Sequence, residues 1–112
     1  MQPTLLMLVS DAARQHDIEQ CWRAAQPTGL LATAPSLSDA ALLVNTLHVA
    51  VIVMDDTFAG ASPALLRHFR RQSPQSRILV FGNNAHGGNP PVRSWGALQD
   101  SLEAVLPIAR HG

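Results

Sequence analysis

Apolar runs alternate with amphipathic stretches along most of this chain. Leu5 to Val9 is an unbroken apolar run of strand length. A helix is predicted from about Ala12 to Ala25, where Ile18, Cys21, Trp22 and Ala25 recur on one face and Pro27 and Gly29 end it. Leu30 to Ala34 reads as a second strand. Ser36 and Asp39 then stand in capping-box positions for a helix through Leu47. Val49 to Met54 is continuously apolar and β-branched, the pattern of a central strand buried on both faces, and it stops at Asp55 and Asp56. Ser62 and Pro63 fit the N-cap and first residue of a helix carrying Leu65, Leu66 and Phe69 inward. Ile78 to Phe81 is a fourth strand.

The rhythm breaks from Gly82 to Arg93, a polar stretch rich in Gly, Asn and Pro. It recovers at Ser94, which is placed to cap a last helix reaching Arg110 and burying Trp95, Leu98, Leu102 and Val105. Only Val92 suggests a fifth strand, and the segment is too short to hold a full helix as well. Alternating strands and helices predict an α/β domain, a three-layer doubly wound parallel sheet over residues 1–112, with the fourth helix and fifth strand shortened or missing. Strand four then becomes a sheet edge whose apolar run needs covering, by a second copy of the chain for instance. The dimer contact expected is that edge or the last helix.

Charge narrows the partners. Eight basic residues balance eight carboxylates, so no net field draws the chain to nucleic acid or an anionic membrane. All eight cations are arginine; there is no lysine. Cys21 is the single cysteine, which excludes an intrachain disulfide and suits a reducing, cytoplasmic setting. The first apolar run is too short to span a bilayer and no basic residue precedes it.

In an open parallel sheet, ligands collect beyond the carboxyl ends of the strands. Asp11, Asp55 and Asp56 fall there. Carboxylates that converge repel unless a cation neutralises them, and hard oxygen donors suit Mg²⁺. By spacing alone an equal reading stands: Asp11 caps the first helix, and Asp55 and Asp56 terminate a strand.

The stretch Asp55-Asp56-Thr57-Phe58-Ala59-Gly60 resembles the phosphoacceptor loop of response-regulator receiver domains, in which an aspartate ending strand three precedes a glycine by five positions. Leu8-Val9-Ser10-Asp11 is similar to the end of a receiver's first strand. The likeness runs from Thr4 to Phe81 and resumes in the last helix. It implies a flavodoxin-like (CheY-like) fold, Asp55 as phosphoacceptor, and Mg²⁺ held by Asp11 and Asp55 with Asp56 in the same acidic pocket.

The departures fall on the switch. Ser10 stands where receivers carry their first acidic residue, and Gly82 where they carry a serine or threonine whose hydroxyl follows the phosphoryl group. The lysine that pairs with phosphoryl oxygens has no counterpart. Pro90 and Pro91 lie nearby and Arg93 offers charge, but a guanidinium fork is not interchangeable with an ammonium. Ala59 replaces a usual proline. The resemblance thus implies a pseudo-receiver, not an enzyme: a regulatory domain that needs no cofactor and acts by contact with itself as a homodimer, with another signalling protein, or with the rest of a longer regulator. It implies neither membrane nor direct nucleic-acid binding. Two alternatives remain: a Mg²⁺-dependent acceptor phosphorylated on Asp55, and a sensor of a small ligand or nucleotide.

Other groups have plain readings. Arg67, Arg70 and Arg71 with His68 form a basic helix end that either complements the helix dipole or holds a phosphate, a nucleotide or an acidic partner. His86 lacks a second ligand at metal spacing. Cys21 reads as a buried, inert thiol. Gly82, Gly87 and Gly88 do not follow strand one, as a dinucleotide fingerprint would, and Ala13 stands where a phosphatase of the paired-aspartate type needs its second carboxylate.

Overall fold

The computed structural model describes residues 3–34, 36–46, 48–61, 63–83, 87 and 91–105. Leu47, Ser62, His86, Gly88, Pro90 and residues 106–110, to which the sequence assigns helix ends, caps or loop roles, lie outside them, as do the side chains of Leu65 and Val105. In chain order the elements are β1 (Thr4–Leu8), α1 (Ala12–Ala25), β2 (Leu30–Thr33), α2 (Leu37–Thr46), β3 (Val49–Asp55), α3 (Asp56–Ala61), α4 (Pro63–Gln72), β4 (Arg77–Gly82), β5 (Val92–Ser94) and α5 (Leu98–Val105), with a single 3-10 turn at Trp95–Ala97 leading into α5.

All strand pairs are parallel, and the sheet order is β2-β1-β3-β4-β5. The chain winds one way from β1 to β2 and the other way from β3 to β5. This is the doubly wound α/β sheet that the alternating pattern predicts.

Side-chain alternation on β1 divides the core. Leu5, Met7 and Val9 point to one face, where Ile18 and Trp22 of α1 and Leu98 and Leu102 of α5 cover them. Leu6 and Leu8 point to the other, against Ala40 and Val44 of α2 and Phe69 of α4. On β3, Val51 and Val53 belong to the first face and Ile52 and Met54 to the second. A register shift against β1, where Thr4 pairs with Val49 but Leu5 with Val51, lets Val49 join the second face instead of alternating with Val51.

Local chemistry sets the helix ends. Asp11 accepts a 2.9 Å bond from the Ala13 N–H and starts α1. Ser36 and Asp39 form one half of the predicted box: the Asp39 N–H donates to Ser36 Oγ at 3.2 Å, while the Asp39 carboxylate takes the Ser36 hydroxyl at 2.9 Å in place of its N–H. Pro63 is the first residue of α4, where its missing N–H costs nothing.

Three expectations need correction. The segment after Asp55 winds into α3, since the aspartate side chain supplies its cap. Ser94 precedes the 3-10 turn in extended conformation but makes no side-chain capping bond. The fifth strand is shortened, as expected, but its three residues pair Val80 with Val92, Phe81 with Arg93 and Gly82 with Ser94, so the second half of β4 is not the edge that was expected.

Trp22 is the largest fully buried side chain, and its Nε1 donates to the Leu30 carbonyl at 3.0 Å. The indole fills the space beside Gly29: a Cβ there would sit 2.8 Å from Trp22 Cζ2 and 3.0 Å from its Nε1. Because that ring is buried and bonded, Gly29→Ala is expected to destabilise the fold by about 1–3 kcal/mol, read as a lower urea midpoint with unchanged slope.

Candidate functional site

Beyond the carboxyl ends of β1, β3 and β4 lies a cleft of about 290 Å³, lined by Ser10, Asp11, Arg14, Asp55, Asp56 and Gly82 among others. The topology therefore brings together Asp11, Asp55, Asp56, Ser10 and Gly82, the residues that the sequence singles out.

Each carboxylate has structural work here. Asp11 is exposed and caps α1 through Oδ1. Asp55, half-buried at the end of β3, accepts a 2.9 Å bond from the Phe58 N–H through its own Oδ1 and so caps α3. Asp56 begins α3, is exposed, and extends its carboxylate over the last residue of β4. A Cβ on Gly82 would lie 2.7 Å from Asp56 Oδ2, 3.0 Å from its Cγ and 3.2 Å from Val92 Cγ1. The space that a side chain at position 82 would occupy is taken by Asp56. Ser10 is exposed at the rim.

The cation of this cleft is Arg14, which the sequence reading overlooks. It stands three residues beyond Asp11, about one turn along α1, and that spacing was the available signal. Its guanidinium lies over the Trp95 ring, 4.9 Å from the centroid, and 3.6 Å from Asp17. Trp95 in turn stacks on buried Phe81 with centroids 5.2 Å apart, so the end of β4 holds the platform on which Arg14 rests. Arg93, expected to bring charge to the aspartates, does not line this cleft; it lines another, with Arg70 and Arg77.

Among the described residues, no three His, Cys, Asp or Glu side chains form a group able to hold a metal ion, and no helix is long and apolar enough to cross a membrane. Cys21 is partly buried against the α1–α5 face of the core; burial pushes its thiol up, and the carboxylates of Asp17 and Glu103 add to the effect. A raised thiol stays protonated and unreactive at neutral pH.

No protein-family model matches this sequence, and no curated protein matches it. The fold does have counterparts among solved structures. A response regulator from Thermotoga maritima superposes with a TM-score of 0.75 at 11% identity, covering 95% of this chain and 98% of that one. The receiver domain of NtrC4 from Aquifex aeolicus superposes with a TM-score of 0.65 at 15% identity, covering 95% and 97%. The fold is thus that of receiver domains, over nearly the whole of each chain.

The contact between Asp56 and Gly82 yields a double-mutant test. Gly82→Thr must push the Asp56 carboxylate aside, whereas Gly82→Thr in an Asp56→Ala background no longer meets that carboxylate. Urea unfolding of the four proteins is expected to give a coupling of at least about 0.5 kcal/mol, with the threonine better tolerated once Asp56→Ala has cleared its side of the contact.

Proposed function

We propose that this chain is a receiver-like regulatory domain of signal transduction or transcription control that acts through protein–protein contact, its phosphorylation switch lost. The observation that carries this reading is the Asp56 carboxylate over Gly82. A receiver switch needs a hydroxyl at that position to follow the phosphoryl group. Here the position has neither the hydroxyl nor room for one while Asp56 keeps its place. The absence of lysine from the chain and the use of Asp11 and Asp55 as helix caps support the same reading.

A domain with this role works by what binds it: another signalling protein, the rest of a longer regulator, or a second copy. For a homodimer the last helix remains the contact we favour, since β5 covers Val80 to Gly82 of β4. The free thiol of Cys21 suits the reducing cytoplasm.

One observation favours a second reading. Arg14 reaches the cleft that holds Asp55, so a phosphoryl group on Asp55 would have a guanidinium partner even without lysine. Mg²⁺ bound through one or two carboxylates keeps most of its waters, and Asp11 and Asp55 are the residues that would hold it; the ion would neutralise charge during phosphoryl transfer.

Incubation with acetyl phosphate and Mg²⁺, followed by intact mass, separates the two. No phosphoryl adduct is expected on the wild type or on Asp55→Asn, and sedimentation should be the same before and after treatment. An adduct on the wild type that Asp55→Asn abolishes would overturn the switch-free reading and establish the second.

A further inference from the structure

The β2 end of the sheet is less covered than its residues call for. A parallel strand of apolar residues is as a rule closed on both faces. All five residues of β1 are buried, whereas none of the four in β2, Leu30-Leu31-Ala32-Thr33, is, although three are apolar. β2 stands last in the strand order, beside β1.

Both of its faces fall short. Leu30 and Ala32 alternate onto the face that α2 covers, since Ala32 pairs with Leu6 and packs in the core cluster there. Leu30 is nonetheless 53% exposed. On the opposite face Leu31 and Thr33 border a hollow of about 430 Å³, walled by Ala12, Gln15, His16 and Glu19 of α1. α2 itself turns Ala40 and Val44 inward and Leu42, two residues from each, away from them, so that Leu42 is 62% exposed. Among the described residues, Leu30 and Leu42 are the large apolar side chains left in the open.

Charge is missing from the same region. Asp39 is the only Asp, Glu, Lys or Arg between Arg23 and Asp55, and the Ser36 hydroxyl donates to its carboxylate. Glu19, at the hollow, is paired with Arg23 at 3.7 Å. Apolar side chains in the open together with a lack of charge are the marks of the centre of a protein interface.

A two-fold axis sets each patch against itself, so charge of one sign repels its own copy. α4 exposes Arg67, Arg70 and Arg71, and α5 exposes Asp100 and Glu103. The last helix, the better of the two self-contacts expected from the sequence, thus carries a like-charge penalty that the β2 end does not.

We propose that β2 and the outward side of α2 form the face through which two copies of this chain associate, with Leu30 and Leu42 as its apolar anchors. An interface of standard size, about 800 Å² a side, is wide enough to include both. The proposal rests on the protein-contact reading and moves the self-contact from the last helix to the β2 end of the sheet.

Analytical ultracentrifugation of the full chain from micromolar to millimolar concentration is the test. The average mass should rise toward twice the 12.0 kDa of the chain. Leu30→Glu and Leu42→Glu, each of which sets a carboxylate in the contact, should each raise the dimer dissociation constant by about tenfold or more. Far-UV circular dichroism of both should match the wild type; if Leu30→Glu does not, Leu42→Glu, on the outward side of a helix, carries the test with Leu42→Gln beside it. Hydrogen exchange of the amides of residues 30–33 should slow as concentration rises. Glu103→Lys on α5 should leave the dimer as it is.

A monomer at every concentration, a dimer indifferent to both glutamates, or a dimer altered by Glu103→Lys instead would each overturn the proposal. A monomer would leave the protein-contact reading standing for other partners. A mass adduct with acetyl phosphate would defeat the switch-free reading while the dimer stood.

Discussion

Everything in this molecule follows from the burial of β1 and β3 on both faces. A strand that is apolar at every position has no side to offer water, so helices must lie above and below it. Leu5, Leu6, Leu8, Ile52 and Val53 are wholly excluded from solvent, and α1 and α5 on one side and α2 and α4 on the other are the layers that exclude it. With both faces closed, the clefts lie at the ends and margins of the sheet. The carboxyl ends of β1, β3 and β4 open into the acidic cleft, and the amino-terminal half of β4 borders the basic groove. The acidic cleft is one of the spaces left once the hydrophobic constraint is met.

The acidic cleft is walled by carboxylates that help to hold the fold together. Asp11 and Asp55 each spend an oxygen on a backbone N–H at a helix start, and Asp56 fills the gap left by a side-chainless residue on the neighbouring strand. Carboxylates in such positions contribute to stability whether or not a phosphoryl group ever arrives. The likeness to receivers at 11% and 15% identity is a likeness of backbone course, and it places no chemistry in the cleft.

What the sequence disclosed is what depends on neighbours along the chain. The limits of α1 were legible because an aspartate cap precedes it and Pro27 and Gly29 follow it; β3 was legible because Val49 to Met54 has no polar interruption. The acidic residues could be placed at one end of the sheet by strand order alone. What escaped depends on contacts made across the fold. α3 has no apolar period, and its start relies on an Asp55 side chain that reads first as chemistry. β5 contains one apolar residue and owes its pairing to β4. Arg14 was visible as a helical residue, but its place over Trp95 follows from the packing of α1 beside α5, and the groove that Arg93 lines follows from where β5 begins.

The Asp55 cap bears on how genetic experiments with this domain should be interpreted. Asparagine retains an oxygen that can accept from the Phe58 N–H, so a strain carrying it keeps the helix start and isolates the loss of charge. Glutamate, introduced to mimic a permanently modified aspartate, sets its carboxylate one methylene farther out and is a poor cap. A phenotype from the mimic would then register an unravelled first turn of α3 and a displaced neighbour at Gly82, without any phosphate having been involved.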